Sequence, residues 1–116
     1  MSAADEIRNF LASVLGAGWR IQFGRWMDGA KDARYAVLKP AGGLPAELVR
    51  RPLFTLILIG ALGEEVSIAS GAAEAVIEAT RTSAGTLVLI QAGEPVSSFT
   101  DDGRPMFEIA ISTITN

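Results

Sequence analysis

Residues 53–62 read LFTLILIGAL, the longest apolar run in the chain. From Leu53 to Ile59 almost every position is apolar, not every second one. A strand of that kind is covered on both faces. It is too short to cross a bilayer as a helix, which takes about 20 residues. Pro52 stands just before it, where a proline costs no central ladder bond. Arg50, Arg51 and Pro52 on one side, and Glu64 and Glu65 on the other, fit charged gatekeepers around an aggregation-prone segment. The run therefore predicts a central strand with Leu56 and Leu58 buried. Its second face needs a cover beyond one helix layer, either another layer or a partner subunit.

The other elements arrange themselves around this strand. Ile7, Phe10, Leu11, Val14 and Leu15 follow helical spacing. Ser2 is placed to cap that helix and Gly16 and Gly18 to end it, giving a helix over 3–15. WRIQF (19–23) alternates as a half-buried strand. A loop rich in glycine and charge follows (24–33), then a strand over 34–40 ended by Pro40, then a turn or short helical connector over 41–49. Residues 64–83 carry a mostly small apolar face and predict a second helix, its regular part starting near Ser70 because Gly71 weakens the first turns. Strands are predicted at 85–91, 96–100 and from Arg104 to the C-terminal residues, with Asp101-Asp102-Gly103 as the turn before the last. The order α-β-β-β-α-β-β-β makes one α+β domain over 1–116, two helices on a largely antiparallel sheet of about six strands. RPLF (51–54) and RPMF (104–107) open the third strand of each half. That echo suggests a crude duplication, although Pro, Phe and aliphatics are also simply good strand openers.

Composition narrows the chemistry. The chain has no Cys and no His. Disulfides, Cys/His metal sites and the Ser-His and Cys-His catalytic pairs are therefore excluded. Net charge is −3, which lacks the basic footprint of a nucleic-acid binder. The N-terminus is acidic and amphipathic, unlike a secretion leader, so the chain reads as soluble, with no membrane partner. The glycines precede strands, not a strand-to-helix turn, so no phosphate loop is present. Asp101-Asp102 and Glu64-Glu65 could hold Mg²⁺ or share acid and base roles. Solvated turn and helix-start charges explain them more simply. No cofactor, metal or catalytic residue is assigned.

Interaction residues stand out better than catalytic ones. Arg25, Trp26 and Met27 sit in an otherwise polar loop, and Trp, Met and Arg are enriched at interfaces. The alternative is that Trp26 folds back and pins its own loop. Arg51 and Arg104 each precede a proline, which extends the backbone and holds the guanidinium at a strand mouth. There it could reach a carboxylate of a neighbouring subunit, or pair within the chain.

RYAVLKPAGGLPAELVRRPLFTLILIG (34–60), LIQAGEPVSSFTDDGRPMFEIAI (89–111) and the small size together resemble the tail terminator, or tail completion, proteins of long-tailed bacteriophages and prophages. DGRPMFE at the last strand is the most suggestive piece, and the likeness covers roughly residues 34–114. It implies a structural virion protein without enzymatic activity or cofactor, found in the virion tail and assembled in the bacterial host cytoplasm. It further implies a six-membered ring that caps the head-proximal end of the tail tube, stops tube polymerisation and joins the head-tail connector. Double-stranded DNA would pass through such a ring without specific binding. A basic lumen would hold phosphates, so the channel should be acidic or neutral. Glu64, Glu65, Asp101 and Asp102 are the candidate channel-facing groups, with Arg25, Lys31 and Arg34 turned away. The alternative class is a small carboxylate-dependent enzyme or ligand-binding domain using Tyr35, with a toxin–antitoxin or regulatory partner protein a third reading.

Overall fold

A computed structural model describes residues 3–27, 29, 32–44, 51–82 and 89–114. The elements run α1 (Ala3–Leu15), β1 (Trp19–Phe23), β2 (Arg34–Leu44), β3 (Arg51–Ile59), α2 (Val66–Thr82), β4 (Leu89–Ala92), β5 (Val96–Phe99) and β6 (Pro105–Ile114). The α+β class and the element order agree with the sequence reading. The proposed cap Ser2, and part of the predicted strand at 85–91, lie outside the described residues.

The sheet differs from the expectation in two ways. Its order is β1-β2-β3-β6-β4, with β5 also on β6. β3 occupies one side of β6, so β4 and β5 share the other side end to end: β4 pairs residues 111–114 and β5 pairs 105–108. Six strand segments thus make a sheet five strands wide. The interruption falls at Gly93-Glu94-Pro95, where proline cannot continue a ladder. The second difference is that β1 runs parallel to β2, Trp19 opposite Arg34 and Phe23 opposite Leu38, while the other pairings are antiparallel. The sheet is mixed.

β3 is the middle strand, as its apolar run predicts. Phe54, Leu56 and Leu58 face the helices, among Ile7 and Leu11 of α1, Ala69, Ala73 and Val76 of α2, and Phe107, Ile109 and Ile111 of β6. Leu56 and Leu58 are fully buried. The second cover turns out to belong to the chain itself. Ile57 and Ile59 join Tyr35 and Val37 in a smaller cluster on the opposite face, under Trp26, Ala33 and Met106. A parallel pair cannot be joined by a hairpin, so the chain must return along the sheet between β1 and β2, and Trp26 and Ala33 of that connection lie on this face.

Two boundaries move. β2 extends to Leu44, so residues 41–44 are strand and not connector, with the register shifting between Pro40 and Gly43. Pro40 keeps its place opposite Phe54, beyond Leu38, the last residue of β2 that β1 pairs, so it stands where β2 has one strand neighbour among the described residues and a proline is tolerated. The second helix begins at Val66 rather than near Ser70. Gly71 lies exposed within it, and burial of Ala69 and Ala73 on either side outweighs its low propensity. The halves are not copies of one another: the first holds a parallel pair, the second a broken edge strand. The Arg-Pro echo marks the two neighbouring strands β3 and β6, entering from opposite ends of the sheet.

Leu56→Ala should lower stability by about 2–5 kcal/mol, the range for large-to-small changes in a packed core. A denaturant titration checks this; a loss below about half a kcal/mol would remove β3 from the core.

Candidate functional site

The strand directions bring several turns to one end of the sheet. β1, β2 and β6 begin there, and β3 and β5 finish there. The turns 60–65 and 100–104 therefore sit side by side, tied by Gly60 N donating to Pro105 O at 2.9 Å. A Cβ on Gly60 would come within 2.8 Å of the Pro105 ring, so this close approach requires glycine.

The 100–104 turn is a short hairpin. Thr100 N donates to Arg104 O, and Gly103 N to Thr100 O, both at 2.9 Å. Gly103 takes the left-handed conformation, φ 85°, as a three-residue hairpin loop requires. The Thr100 hydroxyl accepts from Arg104 N at 3.0 Å and donates to the Asp102 carboxylate. Asp101 and Asp102 are exposed at the tip. All four acidic residues singled out from sequence thus belong to one end of the molecule. Glu65 is exposed and accepts from the Ser67 hydroxyl at 3.3 Å. Glu64 is different: both of its carboxylate oxygens accept from Arg34 Nε, at 2.9 and 3.1 Å. That hydrogen bonding raises the Arg34 pKa above its ordinary value, so the guanidinium stays charged. Arg34 was expected apart from the acidic groups, yet it lies among them, since the start of β2 and the turn after β3 share one end of the sheet.

Arg104 corrects a second expectation. It does not reach for a neighbour. The residue has no accessible surface. Nε donates to Gly60 O and Nη2 to Ala33 O, each at 2.9 Å. The guanidinium carbon lies 5.1 Å from the Trp26 ring centre and 5.6 Å from that of Tyr35, within cation–π range. Pro105 extends the backbone before it, which aims the side chain back across the sheet end.

Trp26 follows the alternative weighed for it: it packs against its own sheet and pins its loop. Its ring tilts 59° against Tyr35 with centres 6.1 Å apart. Its Nε1 is buried and has no hydrogen-bond acceptor among the described residues. The Gln22 side chain clamps the loop start, donating to Met27 O and accepting from Met27 N, both at 2.8 Å. Gly29 N donates to the Tyr35 hydroxyl at 2.8 Å. Arg25 and Met27 remain exposed, Met27 at 61%. The Arg51 side chain lies outside the described residues. Tyr35 and Gly60, which complete the Arg104 site, were not singled out for this role from sequence; the only local signal is a glycine directly after the apolar run.

No group of three or more acidic residues able to hold a metal occurs among the described residues, and no helix among them is long and apolar enough to cross a membrane. The site is a set of surfaces held rigid from behind. Trp26→Ala should therefore cost about 3 kcal/mol, the lower end of the range for a buried aromatic, whereas Met27→Ser should change stability by less than about half a kcal/mol. Thermal and denaturant melts of the two variants separate them; equal, small losses would show that the loop is not pinned.

Comparison with curated proteins returns no match. The family model for phage tail termination proteins matches residues 1–116, the whole chain. The chain belongs to that family of structural phage tail proteins.

Proposed function

We propose that this phage tail termination family member is a ring-forming subunit that caps the head-proximal end of the tail tube, stops tube polymerisation and offers a docking face to the head-tail connector. The observation that carries the reading is the family match over the full length. The surfaces are compatible with it. Rigid, charged turns suit docking, and Arg25 and Met27 stand exposed on the loop beyond β1. In this reading Arg25, Met27 and Arg51 contact neighbouring subunits or the tube protein. Trp26 and Arg104 act from behind, by fixing the surface.

Six copies weigh about 73 kDa (6 × 12.2) and carry a net charge of −18 (6 × −3). Glu65, Asp101 and Asp102 share one end of the sheet, which we place toward the DNA channel; Glu64 adds less because Arg34 offsets its charge. Closely spaced carboxylates repel phosphate and let the duplex slide through. Assembly takes place in the host cytoplasm, with the finished ring in the virion tail.

Light scattering coupled to size exclusion, with electron microscopy of the peak and of tubes mixed with the protein, tests this. The expected result is a six-membered ring, free or at tube ends, and tubes that stop growing. A protein that neither forms a ring nor halts tube growth would overturn the reading. A second measurement addresses the channel: the protein should not retain double-stranded DNA at low salt, and tight, salt-sensitive binding would contradict a repelling lumen.

A further inference from the structure

The two edges of the sheet match each other. Among the described residues, no strand pairs with the outer side of β1 or of β5. Such edges carry unused backbone donors and acceptors, ready for another strand. Among the described residues, four of the eight large apolar residues that stand exposed belong to these edges: Phe23 (46%) and Met27 at β1, Val96 (63%) and Phe99 (59%) on β5.

Direction and level also match. β1 runs with β2, against β3, with β6 and so against β5. A β1 strand laid on the outer side of β5, with the sheet carried on in the same sense, therefore forms an antiparallel ladder. The rungs line up too: Gln22, Val37, Ile57, Glu108 and Val96 share one cross-strand row, and Arg20 lies on the row of Ser98. Thr100 N points to β6, and residues two apart along a strand point alike. The N–H groups of Ser97 and Phe99 therefore point outward.

Charge separates the edges in the complementary way. From Gly16 to Met27 the sequence holds Arg20 and Arg25 and no acid, whereas from Gly93 to Asp102 it holds Glu94, Asp101 and Asp102 and no base. Arg20, Arg25, Glu94 and Asp101 are all exposed. Arg20 and Asp101 lie toward the same end of the sheet, Arg25 and Glu94 farther along it.

Resting on the ring reading above, we infer that the subunits join head to tail, β5 of one copy pairing antiparallel with β1 of the next. Each copy then offers one acidic and one basic edge, and a heterologous contact of this kind generates a closed ring when its rotation closes. The interface is a short strand ladder flanked by apolar side chains and opposite charges, and it draws on neither the helix layer over one sheet face nor the Trp26 cover over the other.

The test uses the full chain, with and without tail tubes, and reads assembly by light scattering and electron microscopy. Ser97→Pro removes an outward N–H and leaves the β5–β6 ladder its donors; it should raise the concentration for half-assembly roughly tenfold or more. Reversing one edge, by Arg20→Glu with Arg25→Glu or by Glu94→Lys with Asp101→Lys, should weaken assembly to a similar degree at low salt. Reversing both edges in one chain should restore it, because every contact then again joins opposite signs. Circular dichroism melts confirm that each variant is folded, and the charge variants stand in for Ser97→Pro if that chain is not. Rings that all the variants form as readily as the wild type, or single-edge losses that the double reversal does not repair, would overturn the inference while leaving the ring reading intact. A wild-type chain that stays monomeric with and without tubes would overturn both.

Discussion

The Arg104 guanidinium lies without accessible surface against the rings of Trp26 and Tyr35, which also touch each other, and donates to the carbonyls of Gly60 and Ala33. Moving such a charge out of water costs several kcal/mol. The cost is offset here by charge-assisted hydrogen bonds, each stronger than a neutral one, and by two aromatic faces at a desolvated site. The planar fork of arginine can address two carbonyls at once, which a lysine ammonium does less well. Through this one side chain the start of β6, the turn after β3 and the last residue before β2 are held together. Those three pieces are remote in sequence: Arg104 stands 44 residues from Gly60 and 71 from Ala33.

That bond set solves a problem created by the parallel pairing of β1 and β2. A parallel neighbour forces the chain to travel back the length of the sheet, and Trp26 and Ala33 of the return segment lie on the face opposite the helices. The segment is polar and rich in glycine and would not hold its place by propensity. Among the described residues three devices hold it: the Gln22 side chain on the Met27 backbone, the Tyr35 hydroxyl on Gly29 N, and Trp26 laid against Tyr35 and Arg104. The buried Trp26 Nε1, which has no acceptor among the described residues, is a local cost, of order 1–3 kcal/mol for a buried donor left unpaired. Ring packing over Tyr35 and the sheet opposes it. The cover does not extend over the whole face: Leu53 remains 40% exposed toward the far end of β3.

Much of the fold was legible because periodicity reports burial. The apolar run of β3 marked the central strand and showed that both faces would be covered, and the stripe of α1 marked its core face. Sequence could not show which segment supplies the second cover, because that depends on whether β1 and β2 run parallel, and strand direction leaves no periodic trace. The same blindness hid the fusion of β4 and β5 into one edge: Gly93-Glu94-Pro95 reads as a hairpin turn unless the partner strand is known. Arg104 stands out in the sequence for its proline, which leaves two readings open, a carboxylate of a neighbouring subunit or a partner within the chain; neither includes burial against two aromatic rings. Its burial depends on Gly60 and Tyr35, contacts that no local pattern encodes. Glu65, Asp101 and Asp102 are exposed turn charges as read, whereas the pairing of Glu64 with Arg34, and the gathering of the four at one end of the sheet, follow only from the topology.

The buried arginine and the proposed edge contact are linked mechanically. Arg104 fixes the hairpin that carries Asp101, and the Trp26 loop that it steadies carries Arg25 and begins at the end of β1. Both charged flanks of the sheet are thus set by one interior site, so a subunit would present its edges preorganised. Preorganisation matters most for a small interface, because ordering a loop or a side chain on binding can consume much of the gain. β5 offers only four residues, so a single contact of this kind is weak by itself. In a ring every copy makes two such contacts, and the last one closes without the loss of translational freedom that the first incurs. A short ladder on a rigid subunit would then favour closed rings over dimers, and a tube end, by gathering copies at one height, would favour them further.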